Sequence, residues 1–259
     1  MLEVYKPTKA DIEKLKPTPD KLKISGDRVF ATLQGEGITA GYPSVFLRLH
    51  FCNLACGVPN GWKCDTRYAW DGTRPEYWQE PEDWSYGETS LRIENAWASR
   101  FGENQEKRLV VTGGEPLIQQ RKIAQLLEKL PDWKVEIETN GTIMPIPELG
   151  RCQFNCSPKL ENSGNSFRRR YKPEVLKVIN KLPKSQFKFV AIEVSDLEEI
   201  DSIANGCDLC SGKILIMPEG QTAEEVKIHA DRIREAVEAR GWKITLRNQL
   251  IWYGPKRRT

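Results

Sequence analysis

Apolar strand-like runs recur along the chain, and most are followed by a loop and a helical stretch. That alternation constrains the fold more than any single motif. PSVFLRLH (43 to 50), RLVVT (108 to 112), KVEIET (134 to 139), CQFNCS (152 to 157), FKFVAI (187 to 192) and KILIMP (213 to 218) read as strands. Helical stretches follow at 123 to 130, 173 to 182, 195 to 205 and 222 to 240. The last is well marked: Thr222 and Glu225 form a capping box, and Gly241 sits where a C-terminal cap belongs. Strands alternating with helices imply parallel β/α units with right-handed crossovers. About six such units predict an α/β fold, an open or partial parallel β/α barrel, rather than a sandwich.

The lead, residues 1 to 24, is rich in Lys and Pro and reads as a surface extension, with a core domain over 25 to 259. Residues 67 to 105 are the longest interruption of the pattern. They hold Trp70, Trp78, Trp84 and Trp97, with Trp62 just before, and read as an inserted cap or helix pair. No apolar run approaches the length that spans a bilayer. The charged, Pro-interrupted start is neither a signal nor a transit segment, which leads to the cytoplasm as the expected location. Seven cysteines, an odd number, argue against a disulfide framework. A net charge of +3 is too weak to imply a nucleic-acid partner, and the basic end KRRT reads as a solvated tail.

Alternate side chains of a strand face opposite ways. In 43 to 50 and just beyond, Val45, Leu47, Leu49 and Phe51 share one face, while Phe46, Arg48 and His50 share the other. Likewise Val135 and Ile137 lie opposite Glu136 and Glu138, and Phe187 and Phe189 opposite Lys188. Charges at central strand positions are costly unless paired or used. Three strands with a charge on the lumen face therefore predict a polar ligand there.

In β/α folds the C-terminal strand ends carry the chemistry. Here those ends carry a cysteine loop, TGGEP (112 to 116), ETNG (138 to 141), SPK (157 to 159), MPEG (217 to 220) and Arg247-Asn248. The cysteine loop, CNLACGVPNGWKCDT (52 to 66), places Cys52, Cys56 and Cys64 within thirteen positions. Thiolates select zinc or iron-sulfur centres. A structural zinc wants four protein ligands and would recruit a fourth from elsewhere, such as the Cys207/Cys210 pair. Cys152 and Cys156 alternate into a strand, where buried small hydrophobes are the favoured reading. A four-iron cluster on three thiolates leaves one iron open to a substrate or cofactor. His229 lies beside the apolar side of its helix and reads as a satisfied structural histidine.

TLQGEG (32 to 37), VFLRL (45 to 49), CNLAC with a downstream CDT (52 to 66), AWDG (69 to 72), VTGGEP (111 to 116), ETNGT (138 to 142), SPK and FKFV (187 to 190) together resemble one known group. They are similar to the radical S-adenosylmethionine (SAM) enzymes and, within them, to the 7-carboxy-7-deazaguanine synthase family. TGGEP and the cysteines mark the superfamily, whereas LQGEG, CDT and SPK are the narrower signature. The resemblance implies that Cys52, Cys56 and Cys64 bind three irons of a 4Fe-4S cluster and that SAM chelates the fourth. It implies SAM contacts from Lys63, Gly114, Glu115, Glu138, Ser157, Pro158 and Lys159. Leu33, Gln34, Gly35, Arg48 and Thr112 would hold a carboxylated tetrahydropterin, and Thr66 would ligate Mg2+ bound to that substrate. Arg48 faces inward by alternation as well, so two arguments meet on it. Glu36, flanked by glycines, is expected only to shape its turn.

The implied reaction is a carbon-nitrogen lyase step: 6-carboxy-5,6,7,8-tetrahydropterin becomes 7-carboxy-7-deazaguanine with loss of ammonia, in queuosine-type 7-deazapurine biosynthesis. The implied partners are an electron donor such as flavodoxin or ferredoxin and a second copy of the chain in a homodimer, with no direct nucleic-acid contact. Seven residues separate Cys56 from Cys64, against two in the commonest family pattern. That lengthening costs only ~1 kcal/mol of closure entropy, and Gly57, Pro59 and Gly61 suit a looped-out excursion. Lys63 stands where an aromatic is frequent, and Asn248 where the family often carries His. Two rivals remain: another radical SAM enzyme such as a glycyl-radical activase, and a zinc-ribbon nucleic-acid binder.

Overall fold

The apolar runs do become strands, and they join in one sheet. The computed structural model describes residues 4–102 and 105–254, so the basic end at 256–259 lies outside the described residues. Among the described residues the strands are β1 (Lys21–Leu33), β2 (Pro43–Leu49), β3 (Glu82–Ser85), β4 (Arg108–Gly113), β5 (Lys134–Thr139), β6 (Gln153–Cys156), β7 (Ser185–Ala191), β8 (Ile214–Pro218) and β9 (Lys243–Ile244). The helices are α1 (Lys9–Leu15), α2 (Pro75–Gln79), α3 (Tyr86–Ala98), α4 (Gln120–Leu127) and α5 (Phe167–Arg170). They continue with α6 (Pro173–Lys181), α7 (Val194–Cys207), α8 (Ala223–Ala239) and α9 (Asn248–Tyr253).

The sheet order is β3-β1-β2-β4-β5-β6-β7-β8-β9. Every pairing from β2 to β9 is parallel, and β1 is antiparallel to both its neighbours. The end strands β3 and β9 do not pair with each other, so the curved sheet stays open as a partial β/α barrel. None of the helices is long and apolar enough to cross a membrane among the described residues.

Period two works on β2. Val45, Leu47 and Leu49 are fully buried in the helix-side core, and Phe46 and Arg48 face the concave side. The same core takes Leu109, Val111, Val135, Ile137, Phe187 and Phe189. Each aliphatic side chain so buried contributes about 1.5–3 kcal/mol. Alternation stops at Leu49: Phe51 has a positive φ of 77° and leaves the strand direction. His50 consequently does not join Arg48 on the concave side but packs against Phe51 and Tyr77.

Helix α8 begins as its sequence indicates. Thr222 Oγ1 accepts from Glu225 N at 3.1 Å, and Glu225 Oε2 accepts from Thr222 N at 3.2 Å. Gly241 follows with φ 65°, a left-handed turn that glycine takes without strain.

Two regions differ from expectation. Strand β1 starts at Lys21, inside the expected surface extension, and its Leu22 and Ile24 are fully buried. Its register shifts between Ile24 and Val29, and Gly26 and Arg28 there have positive φ. That bulge breaks the period-two pattern and hides the strand from a sequence reading. Residues 67 to 102, within the stretch read as an inserted cap or helix pair, hold the two helices α2 and α3 but are also woven into the core. They supply the edge strand β3 and helix α3, whose Ile93 and Trp97 enter the main core with Trp84.

Candidate functional site

A cavity of about 890 Å³ opens at the C-terminal ends of the parallel strands. Its first wall is built by glycines. Gly114 N donates to Leu49 O at 3.0 Å, and Glu115 N to Phe51 O at 2.8 Å, pinning the end of β4 to the chain that leads into Cys52. A Cβ at Gly113 would lie 2.2 Å from Leu49 O, and one at Gly114 2.0 Å from Phe51 O. The Gly-Gly pair is thus required by backbone approach, and it fixes where the cysteine loop begins.

The next residue ties two strands together. Glu115 is fully buried and accepts from Leu117 N (3.0 Å), Thr139 Oγ1 (2.8 Å) and Asn140 N (2.6 Å), tying β4 to β5. Burial raises its carboxyl above the ordinary range, with these hydrogen bonds opposing. Glu115 and Pro158 are not among the residues lining the cavity, although SAM contacts were expected of both.

Cys52, Cys56 and Cys64 all line the cavity. Burial pushes the Cys52 thiol up to about 12, with Glu115, Cys56 and Cys64 adding to the rise. Burial likewise raises Cys56, against the nearby Lys159 ammonium. The three sulfurs therefore feel one another across one wall, a soft donor set suited to zinc or iron-sulfur. Among the described residues no three His, Cys, Asp or Glu side chains gather as ligands of a single metal ion. One zinc would draw its thiolates to about 3.8 Å of each other, given ~2.3 Å bonds in a tetrahedron. A four-iron cluster takes each thiolate on a different iron, so three cysteines on one cavity and an open fourth iron suit its chemistry. Cys152, Cys156 and Cys207 are buried in the core, and Cys210 is exposed.

The long excursion between Cys56 and Cys64 docks on the segment after SPK. Gly57 N donates to Ser163 O (2.9 Å), and Trp62 reaches Asn162 with both its backbone N (3.2 Å) and its indole Nε1 (3.0 Å). A Cβ at Gly164 would lie 1.9 Å from Asn60 O, so the two backbones touch. Trp62, Lys63, Ser157 and Lys159 consequently share one side of the cavity. Lys159 Nζ donates to Ser157 Oγ at 2.9 Å.

Arg48, which also lines the cavity, lies over the Phe30 ring at 5.2 Å, and its Nη1 donates to Tyr68 Oη at 3.3 Å. Its Nε is buried without a hydrogen-bond partner. Thr112 Oγ1 donates to Glu138 Oε2 at 2.6 Å, and Gln34 Nε2 lies 3.5 Å from Glu138 Oε1. Residues expected to hold substrate and cofactor thus meet on one carboxylate. Leu33, Gly35 and Thr66 also line this space, and Thr66 Oγ1 lies 3.5 Å from Cys64 Sγ.

Glu36 does more than shape a turn. Lys188 and Arg247 pair with it, and Gln249 Nε2 donates to it at 2.7 Å. Burial alone would raise this carboxyl, but Lys188 and Arg247 hold it down to about 2. Arg247 also pairs with Asp65 of the CDT segment, and Asn248 N donates to Gly35 O at 3.0 Å. The chain end thereby closes the floor of the cavity. The inward alternation of Lys188 signalled half of this cluster; nothing local to Glu36 or Arg247 signalled the rest. His229 Nδ1 is 2.7 Å from Glu219 O, as a structural histidine.

No family model matches the chain. It is similar to the 7-carboxy-7-deazaguanine synthase of Pyrobaculum aerophilum, with 34% identity over 235 residues covering 88% of this chain and 94% of that protein. The synthase of the same name from Rhodopirellula baltica is 30% identical over 245 residues, covering 89% and 86%. Among solved structures, the crystal structure of QueE from Escherichia coli shares the fold, with a TM-score of 0.63 at 24% identity over 87% of this chain and 93% of that one.

Proposed function

The chain belongs to the 7-carboxy-7-deazaguanine synthase family, and from that membership we infer that it is a radical SAM lyase acting on 6-carboxy-5,6,7,8-tetrahydropterin. Its product is 7-carboxy-7-deazaguanine, formed with loss of ammonia in queuosine-type 7-deazapurine biosynthesis. The observation that carries this reading is that Cys52, Cys56 and Cys64 line the same cavity as Arg48, Gln34 and Thr112.

When bound, the 4Fe-4S cluster and SAM supply the electron and the radical that removes a hydrogen atom from the substrate. The chain's residues bind and orient. Cys52, Cys56 and Cys64 would hold three irons, with Cys56 buried and the other two half-buried. Gly114, Glu138, Ser157, Lys63 and Lys159 face the cofactor's side of the cavity, while Glu115 and Pro158 support that wall from behind. Arg48 supplies a guanidinium with a free Nε donor, the geometry that receives a carboxylate. Thr112 and Gln34, both fixed on Glu138, present polar groups to the pterin, and Leu33 and Gly35 give it an edge. Thr66 supplies one hard oxygen, enough for Mg2+ when the substrate carboxylate and waters complete its shell.

A flavodoxin or ferredoxin as reductant, a homodimer, and a cytoplasmic setting belong to the same reading and rest on the family resemblance. The test is anaerobic reconstitution followed by incubation of the reduced protein with 6-carboxytetrahydropterin, Mg2+ and SAM. The expected outcome is several irons per chain and a product with the mass of 7-carboxy-7-deazaguanine. One zinc and no iron would overturn the reading, and a loaded cluster without that product would move the chain to another radical SAM substrate.

A further inference from the structure

An N–H group is aimed at each sulfur of the cysteine loop. Asn165 Nδ2 lies 3.3 Å from Cys56 Sγ, Trp70 Nε1 lies 3.4 Å from Cys64 Sγ, and the Leu54 backbone N–H donates to Cys52. The first two donors come from outside the loop and are held by contacts of their own. Asn165 is 7% exposed; its Oδ1 accepts from Ala55 N at 3.0 Å, which leaves the Nδ2 end of the amide to face sulfur. Its Nδ2 is shared with Ser163 Oγ at 3.2 Å, and its carbonyl accepts from Arg170 Nε at 3.1 Å. Trp70 is fixed by its backbone N donating to Arg67 O (3.2 Å) and by the Arg67 guanidinium over its ring at 5.6 Å.

An N–H donor gains little from a neutral thiol and more from a sulfur that carries negative charge. When the three cysteines ligate a cluster, the reduced state places more charge on those sulfurs than the oxidised state does. Donors fixed in advance then favour the reduced state, and hydrogen bonds to cluster sulfurs are one of the levers that set a potential. We propose that Asn165 and Trp70 are positioning residues that raise the reduction potential of the cluster held by Cys52, Cys56 and Cys64. The inference rests on the cluster reading of the cavity. It makes two residues outside the cysteine motif responsible for how readily a reductant loads the enzyme with an electron.

The experiment is a redox titration of the reconstituted full chain, followed by the electron paramagnetic resonance signal of the reduced cluster, for wild type, Trp70→Phe, Asn165→Leu and Trp78→Phe. The last is the control, because the Trp78 indole donates to Gly72 O at 2.8 Å rather than to a sulfur. Trp70→Phe and Asn165→Leu are expected to shift the midpoint to more negative potential at unchanged iron content, with Trp78→Phe at the wild-type value. Turnover by the two variants should fall with a mild reductant and recover with a stronger one, a pattern that a merely structural role would not give. A measurement on the wild type needs no variant: resonance Raman bands of the iron to cysteine-sulfur stretches should move on exchange into D2O. Loaded variants with the wild-type midpoint, or bands insensitive to exchange, overturn the proposal. A wild type that takes up no iron sinks the cluster reading and this inference with it, whereas wild-type midpoints in loaded variants sink this inference alone.

Discussion

The ammonium of Lys159 sits over the indole of Trp62, with Nζ 5.5 Å from the ring centroid, while the same nitrogen donates to Ser157 Oγ. Trp62 belongs to the seven-residue excursion between Cys56 and Cys64. The extra length therefore has a position: it brings an aromatic face under the one cation of SPK and fastens it to Asn162. A cation over an indole is worth about 0.5–2 kcal/mol. Trp62→Ala should loosen Lys159 and weaken SAM binding roughly tenfold, the equivalent of 1.4 kcal/mol, while irons per chain stay unchanged. Equilibrium binding of SAM to the reconstituted protein measures it. A lower melting temperature with unaltered affinity would reduce the loop to a purely structural part.

Arg48 is the second test of the site, because its planar fork rather than its charge is what a carboxylate recognises. Arg48→Lys retains a cation and loses the paired donors. Charge-assisted hydrogen bonds are worth about 1.5–3 kcal/mol, so KM for the carboxylated pterin should rise about ten- to hundredfold, with a smaller change in kcat. An analogue without the carboxylate should bind wild type and variant alike. Equal loss for both ligands would assign Arg48 to holding Phe30 and Tyr68 in place instead.

The cysteines divide by surroundings. Cys64 lines the cavity, Cys207 is buried with Tyr171 Oη 3.5 Å from its sulfur, and Cys210 is exposed. Cys64→Ala should abolish the iron-sulfur absorption on reconstitution. Cys207→Ala and Cys210→Ala should retain it, the former with lowered stability from a small core cavity. Full iron content in the Cys64 variant would mean that another thiol is the third ligand.

The difference between what could and could not be read from the sequence has a physical pattern. Strands β2, β4, β5, β6, β7 and β8 were legible because burial on one or both faces imposes apolar residues at regular spacing. Strand β1 was not, since the bulge between Ile24 and Val29 shifts the register and disrupts the alternation. Cys52, Cys56, Cys64 and Lys159, which line one cavity, stood out in the sequence because their chemistry clusters in short motifs. Asn165, Trp62 and Arg247 act through contacts made across long sequence separations, such as the pairing of Arg247 with Asp65. Glu115 has a role that the sequence did not show: its oxygens also accept from Thr139 and Asn140 and tie β4 to β5.

Glu36 gives a pH prediction whose sign follows from its two neighbours. Its carboxyl titrates near 2 in the folded chain against 4.5 ordinarily. A depressed folded value means the stabilisation is fully present above pH 4.5 and is lost as pH falls through about 2. The difference, 4.5 minus about 2, corresponds to about 3 kcal/mol. Glu36→Gln removes the carboxylate at every pH and takes from Lys188 and Arg247 the anion they share, leaving Asp65 on Arg247 and the more distant Glu138 near Lys188. Breaking a buried pair from one side costs about 3–5 kcal/mol, so the melting temperature at pH 7 should fall by roughly 10 °C. Urea unfolding at pH 7 and at pH 3 should show the gap between wild type and variant narrowing at the lower pH, because below pH 4.5 the unfolded wild-type chain takes up a proton on Glu36 that the folded chain still resists. A gap independent of pH would place the stabilisation in packing around the side chain rather than in its charge.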